Sequence, residues 1–311
     1  METYDTIDNA YQDLLEKILQ EGNEKKNRTG VKTLSIFGHS FQIDISKMFP
    51  LLSLKDMGGN IFHSVVAELL WYLSGESHIK NLKEHTQIWD QWADEKDRLD
   101  FAYGRFWRRY PVPLQENHLN GETWPEDNDK YTNIEVNSEE RERKVFDQID
   151  YILDTLKENP FSRRMVLNAW HPANCAIANP PACHCMAIFN VESNGQILNC
   201  HLTMRSNDVG LGHPFNIAQY SLLTYLLAQQ VGMEPGNICY SGTDVHLYME
   251  EDEGKQEYDQ IEYAEEIIQR DPKENPQIEI QKRDSIDDYQ VDDFSLHGYE
   301  AHPYIGMKPV P

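Results

Sequence analysis

The chain has 311 residues, 40% hydrophobic and 26% charged, enough to bury a sizeable core and unlike a disordered chain. Its 28 basic and 52 acidic residues leave a net charge of −24, which argues against a nucleic-acid partner because phosphates are repelled, and suits a halophilic setting in which salt screens self-repulsion. No apolar run is long enough to span a membrane, and the acidic start Met1-Glu2-Thr3-Tyr4-Asp5 lacks a signal peptide's basic and apolar regions, so a cytoplasmic protein is expected.

In chain order, Ile7, Tyr11, Leu14, Leu15, Ile18 and Leu19 make one apolar stripe, predicting a helix over 5–20 with Gly22 as its stop. Residues 33–45 alternate as a strand. A strongly apolar helix is expected over 62–73, ending near Gly75. Residues 111–140, rich in Pro, Asn, Asp and Glu, read as a polar surface insertion. A helix over 143–157 is closed by Asn159-Pro160. Strands are expected at 165–170, 184–191 and 197–205, the last two joined by a hairpin turn at 192–196. An all-round apolar helix at 215–231, hence buried, precedes a strand at 238–248, a polar helix at 255–270 and a tail with two short strands. With no internal repeat and no linker, residues 1–311 read as a single α+β domain: a mixed sheet packed with helices.

Five cysteines, an odd number without a secretory signal, argue against a disulfide framework. The run Cys183-His184-Cys185 lacks the paired Cys-x-x-Cys spacing of structural zinc, so no metal is expected. As a nucleophile Cys183 needs a cation beside it, and Arg205 sits on the adjoining hairpin strand. Strand alternation puts Cys185 on the same face, so periodicity does not choose between the two thiols. In so acidic a chain Arg28, in a turn, Arg163 and Arg164, opening a strand, and Arg205 are anion-site candidates, with surface salt bridges as the plainer reading. Glu68 lies on an apolar helix face, where a carboxylate is costly unless paired or functional, and desolvation should raise its pKa. Trp89 and Trp92 are either core packing or a stacking wall for a flat ring. His246 and Tyr248 alternate on a strand and share a face.

Taken together these residues resemble the folate-dependent thymidylate synthase family over nearly the whole chain. The matching pieces are Asn27-Arg28-Thr29-Gly30, Glu68-Leu69-Leu70-Trp71, Ile88-Trp89-Asp90-Gln91-Trp92-Ala93-Asp94, Tyr103-Gly104-Arg105, Ser162-Arg163-Arg164, Cys183-His184, Arg205-Ser206, Asp208, Pro214-Phe215-Asn216-Ile217-Ala218 and Asp244-Val245-His246-Leu247-Tyr248. The insertion after Tyr110 and an expansion near Gly58 are similar to those of haloarchaeal members. The resemblance implies the family's sandwich, dimerising through sheet faces, and reductive methylation of dUMP by 5,10-methylenetetrahydrofolate. It implies Cys183 adding to carbon 6, Glu68 organising proton transfers and Tyr103 assisting loss of the carbon 5 proton. Arg28, Arg205 and Ser206 hold the phosphate in this pattern, joined by Arg163 and Arg164 of the second subunit of a homodimer. Asn216 reads the uracil edge, His246 and Tyr248 hold the ribose hydroxyl, Asp208 binds the pterin between Trp89 and Trp92, and Lys55 favours the folate's glutamate tail.

The departures bear on the product. Ala182 precedes the nucleophile where the family has proline, and counting back from Arg205 without a gap selects Cys185; retention of the Cys-His pair favours Cys183. Met204-Arg205-Ser206-Asn207-Asp208 is similar to phage deoxycytidylate hydroxymethylases, His213 replaces an apolar residue, and the tail ends in Pro311 where synthases have an aliphatic residue. A dUMP hydroxymethylase is therefore the alternative within the fold, although Asn216 matches the uracil-reading form. A non-catalytic nucleotide-binding paralogue is the alternative of another class.

Overall fold

The computed structural model describes residues 1–27, 29–99, 102–112, 130–136, 142–176, 178, 180–249 and 258–310. Arg28 and Pro311 lie outside the described residues, as does much of the expected insertion.

Strand β1 (Glu2–Tyr4) leads into helix α1 (Ile7–Glu21), whose first turn is capped by the Thr6 hydroxyl accepting from the Asn9 N–H at 3.2 Å. Its apolar stripe is the buried one, from Ile7 to Ile18. Strands β2 (Asn23–Lys25) and β3 (Lys32–Asp44) follow, then helix α2 (Asn60–Ser74), stopped by Gly75 at φ 69°, a conformation that favours glycine. Short helix α3 (Tyr103–Arg108) crosses α2 so closely that a Cβ on Gly104 would collide with the Tyr72 carbonyl. That contact seats Tyr103 beside Tyr72, with ring centroids 5.1 Å apart.

The polar region expected to be a surface insertion is partly regular. Strands β4 (Tyr110–Val112) and β5 (Thr132–Val136) flank β6 (Glu142–Phe146) in a small antiparallel sheet. The helix predicted from residue 143 therefore begins later, as α4 (Gln148–Glu158). Asp147 sets the boundary: its carboxylate accepts from the N–H groups of Ile149 and Asp150 at 3.0 and 3.1 Å. Strand β7 (Val166–Asn168), helix α5 (Pro172–Cys175), β8 (His184–Val191), β9 (Ile197–Asp208), α6 (Gly212–Val231), β10 (Glu234–Met249), α7 (Ile261–Ile268), β11 (Gln277–Ile280) and β12 (Phe294–His297) complete the described chain.

The main sheet runs β1-β3-β10-β9-β8-β7, with β2 added to β3, and it is mixed: β10 pairs antiparallel with β3 and parallel with β9. This is the expected α+β architecture. Helix α6 is buried on every side, and its serine and threonine hydroxyls are absorbed by its own backbone, Ser221 onto Ile217 and Thr224 onto Tyr220, both at 2.7 Å. The core is one continuous cluster from Ile7 to Met307. On the opposite face of the sheet, Ser40, Gln42, Met186, Ile188, His201, Thr203, Cys239 and Ser241 are only half-buried. Several bond across strands, as in His201 Nε2 to Ser241 Oγ at 2.9 Å and Gln42 Nε2 to Asn237 Oδ1 at 3.0 Å.

Candidate active site

The β8–β9 hairpin forms as its Glu192–Gln196 turn predicts, with the Gly195 N–H bonded to the Glu192 carbonyl at 2.8 Å. It sets Arg205 against Cys183: the Arg205 N–H donates to the Cys183 carbonyl at 2.9 Å, and Arg205 Nη2 lies 3.6 Å from Cys183 Sγ. The guanidinium is held in that pose by the carbonyls of Ala182 and Pro181, at 2.7 and 2.8 Å, and by the Trp170 ring, 5.6 Å from its carbon. An arginine so placed favours the thiolate of Cys183.

Tyr103 closes the other side. Its hydroxyl accepts the Cys183 N–H at 2.8 Å, and its ring stacks on the His184 imidazole at 3.5 Å and 9°. Burial raises the Tyr103 pKa well above the usual phenol range, so the hydroxyl stays protonated. His184 is buried, 2.7 Å from the Tyr220 hydroxyl, and burial lowers its pKa to about 3, which keeps it neutral.

Glu68 is 7% exposed. Its carboxylate collects three donors: the Tyr72 hydroxyl at 2.8 Å, the Trp89 indole N–H and the Gln219 amide. Desolvation raises its pKa against the lowering effect of those bonds, the direction expected from an apolar helix face. Trp89 thus orients Glu68 as well as standing beside Trp92, 5.3 Å away, and Tyr103, 6.2 Å away. Sequence reasoning missed Tyr72, Gln219 and Tyr220. Tyr72 stands four residues after Glu68 on one helix face, and Gln219 is an amide inside an apolar helix; both were readable signals.

The third part lies where β9 runs into α6. Asp208 Oδ1 accepts from the Leu211 N–H and the Gln260 amide, both at 3.0 Å. A Cβ on Gly212 would lie 3.6 Å from Asn216 Oδ1 and 3.9 Å from Asp208 Cβ, so these two side chains flank one small space. Parallel pairing sets Ser206 against Asp244 and Asp208 against His246. His246 and Tyr248 pack edge to face at 5.2 Å, and His246 Nδ1 is 3.5 Å from an oxygen of Asp244, whose pKa is lowered chiefly by that contact. Between them, Asn207 and His213 form a buried link: His213 Nδ1 and the Tyr240 hydroxyl each lie 2.7 Å from Asn207 Oδ1.

Lys55 does not reach outward. It is 4% exposed and donates to the Gly210 carbonyl at 2.7 Å, and burial lowers its pKa to about 8. Arg163 and Arg164 are exposed ahead of β7. Among the described residues no group of three or more His, Cys, Asp or Glu side chains could hold a metal.

The family model for thymidylate synthase matches residues 9–310. A thymidylate synthase of Haloferax volcanii is 50% identical over 236 residues, 76% of this chain and 66% of that one. A thymidylate synthase of Corynebacterium aurimucosum is 37% identical over 300 residues, 96% of each chain.

Proposed function

Because the chain belongs to the thymidylate synthase family, we propose that it converts dUMP to dTMP with 5,10-methylenetetrahydrofolate as methyl donor. The observation that carries this reading is the cluster of Cys183, Arg205 and Tyr103, a thiol 3.6 Å from a guanidinium with a protonated phenol on its own N–H.

Cys183 Sγ adds to carbon 6 of the uracil ring, and the ring electrons move toward carbon 5, which becomes the nucleophile for the one-carbon unit. Arg205 and Ser206 hold the phosphate, with Arg28 as a further anion ligand. Asn216 presents an amide to the ring's N–H and carbonyl edge, and His246 and Tyr248 take the ribose hydroxyl. Glu68, kept basic by burial, orders the waters through which protons move, and Tyr103, its hydroxyl protonated, assists loss of the carbon 5 proton by positioning the water that takes it. The space between Asp208 and Asn216 above Gly212 suits the pterin edge, since a carboxylate meets its N–H groups, and Trp89 with Trp92 supplies an aromatic wall. Lys55, bonded inward to Gly210, supports the Asp208 loop in this reading; a role toward a glutamate tail requires it to turn out.

The uncovered sheet face supports a homodimer, and exposed Arg163 and Arg164 fit a phosphate site in the second subunit. The continuous core supports one domain over 1–311. No helix among the described residues is long and apolar enough to cross a membrane, which fits a cytoplasmic enzyme.

A second reading, hydroxymethylation of dUMP, is favoured by one feature, the polar Asn207–His213 link beneath the site. Incubation with 5-fluoro-dUMP and the folate, followed by intact mass measurement, tests the first reading. A covalent complex in the wild type and none in Cys183→Ser is expected, whereas a complex surviving in Cys183→Ser moves the nucleophile to another thiol and none in the wild type leaves a nucleotide binder. Product mass from dUMP separates a methyl from a hydroxymethyl group.

A further inference from the structure

We propose that Cys185 is a resolving thiol for Cys183: a hydroperoxide oxidises Cys183, and Cys185 then closes it into a reversible intrachain disulfide. This rests on Cys183 being the nucleophile named above.

The turn of the backbone makes the pair. In β8 the register steps from His184 opposite Met204 to Met186 opposite Thr203, so Cys185 is the extra residue of a β-bulge. In a regular strand, residues two apart have Cα atoms about 6.6 Å apart, at the upper edge of disulfide reach, and a bulge bends the strand and shortens that span. The side chains agree. Cys185 Sγ turns back to 3.5 Å from the Cys183 carbonyl oxygen and 3.9 Å from that of Ala182, while Cys183 Sγ lies 3.8 Å from the Pro181 carbonyl. Both sulfurs therefore line the same three-residue stretch of main chain. Arg205 is shared by the pair: its guanidinium lies 3.6 Å from Cys183 Sγ, and its charge also acts on Cys185. Neither thiol is in a disulfide, and both are half-buried. Burial raises the Cys185 pKa, so at neutral pH it waits as a thiol and does not compete for substrate.

In the first step the Cys183 thiolate attacks the outer oxygen of the hydroperoxide. A sulfur–oxygen bond forms, the oxygen–oxygen bond breaks, and the departing alkoxide or hydroxide takes a proton. The cysteine is oxidised to a sulfenic acid and the peroxide is reduced. In the second step Cys185 sulfur attacks the sulfenic sulfur, a disulfide forms, and the hydroxyl leaves as water with the Cys185 proton. Two equivalents of a small thiol reverse it through a mixed disulfide. A bound nucleotide adduct on Cys183 blocks the first step, so the device acts on the idle enzyme.

The test exposes the wild type, Cys185→Ser and Cys185→Ala to hydrogen peroxide, with and without excess dUMP, then adds dithiothreitol. Peptide mass mapping locates the linkage while activity is followed. In the wild type, a Cys183–Cys185 peptide lacking two hydrogens and recovery of most of the lost activity are expected. Both variants should turn over normally before treatment, then recover roughly five-fold less and accumulate sulfinic acid at Cys183. A linkage from Cys183 to Cys175, no linkage at all, or equal recovery in the variants overturns the proposal. The 5-fluoro-dUMP complex of the untreated proteins reports separately on Cys183 as nucleophile: a complex without the disulfide removes this inference alone.

Discussion

Glu68 shows how neighbours order a buried carboxylate. Three donors converge on a carboxylate that α2 buries, so it stays ordered while desolvation raises its affinity for a proton. Glu68→Gln keeps the size but turns an N–H₂ group toward Gln219 or Trp89, both donors. We expect kcat to fall by about 10²–10³ with dUMP affinity changed only a few-fold, a split that steady-state rates and equilibrium binding measure together. A loss of binding as large as the loss of rate would make Glu68 structural. His213 is a second test at this scale. It is fully buried, its pKa is lowered to about 3 by burial, and its Nε2 finds no partner among the described residues. The unfolded chain takes up that proton below the ordinary histidine pKa of 6.5, and the folded protein does so only near 3, so stability falls as pH drops through this window. His213→Leu should flatten the stability–pH curve between pH 6 and 4 by about 1.4 kcal/mol per pH unit, read by chemical denaturation at each pH. An unchanged slope means the imidazole is already charged or exposed. The sequence marked both positions, Glu68 by its apolar helix face and His213 as a departure. It did not reveal Gln219 as the partner of Glu68, because that contact joins elements far apart in the chain, or Asn207 as the partner of His213, because that contact depends on how the chain turns from β9 into α6.

At the scale of elements, hydrophobic period served where a helix or strand had one dry face, as in α1, β8 and β9, and a long apolar run served for α2 and α6. It failed where a boundary depended on a cap. Residues 143–157 read as one helix, yet the pairing of β6 with β4 and β5 takes residues 142–146 into a strand. Asp147 divides the two. It caps α4 and also accepts from Arg108 Nε at 2.8 Å, and Arg108 in turn reaches Asp150 and Asp287. These bonds tie α3, and so Tyr103, to α4. Asp147→Ala should lower stability by about 2 kcal/mol, since it removes a helix cap and one of three partners of a mostly buried guanidinium. Asp147→Ser, which restores the cap acceptor, should return roughly 1 kcal/mol. Urea midpoints with an unchanged slope would check both, and equal losses in the two variants would deny the cap its share. The strands β4 and β5 were not legible because, among the described residues, each pairs with β6 alone, and neither carries an alternating pattern long enough to stand out.

At the scale of the whole molecule, the proposed reading has one chain supplying only part of the anion site. Arg205 is already engaged by two carbonyls, and on the proposed reading its site must hold a phosphate in a protein with a net charge of −24. Arg163 and Arg164 are exposed just before β7, an edge strand of the same sheet whose open face is half-buried and cross-bonded. In the proposed homodimer, two chains stacked through that face would bring the arginines of one toward the site of the other, and cations from a second subunit would offset the repulsion that the acidic surface imposes. The expectation is complementation. Arg163→Ala/Arg164→Ala homodimers lack the arginines at both sites, and Cys183→Ser homodimers lack the nucleophile at both. Mixed dimers assemble one site with Cys183 from the first chain and both arginines from the second, beside one doubly defective site. Random exchange makes half the dimers mixed, so equal mixing should restore about a quarter of wild-type activity. The measurement is specific activity after unfolding and refolding the two variants together in high salt, with the mixed species counted by native mass spectrometry. Activity that stays at the level of the separate variants, with mixed dimers present in the expected share, would place the arginines in service of their own chain or of none.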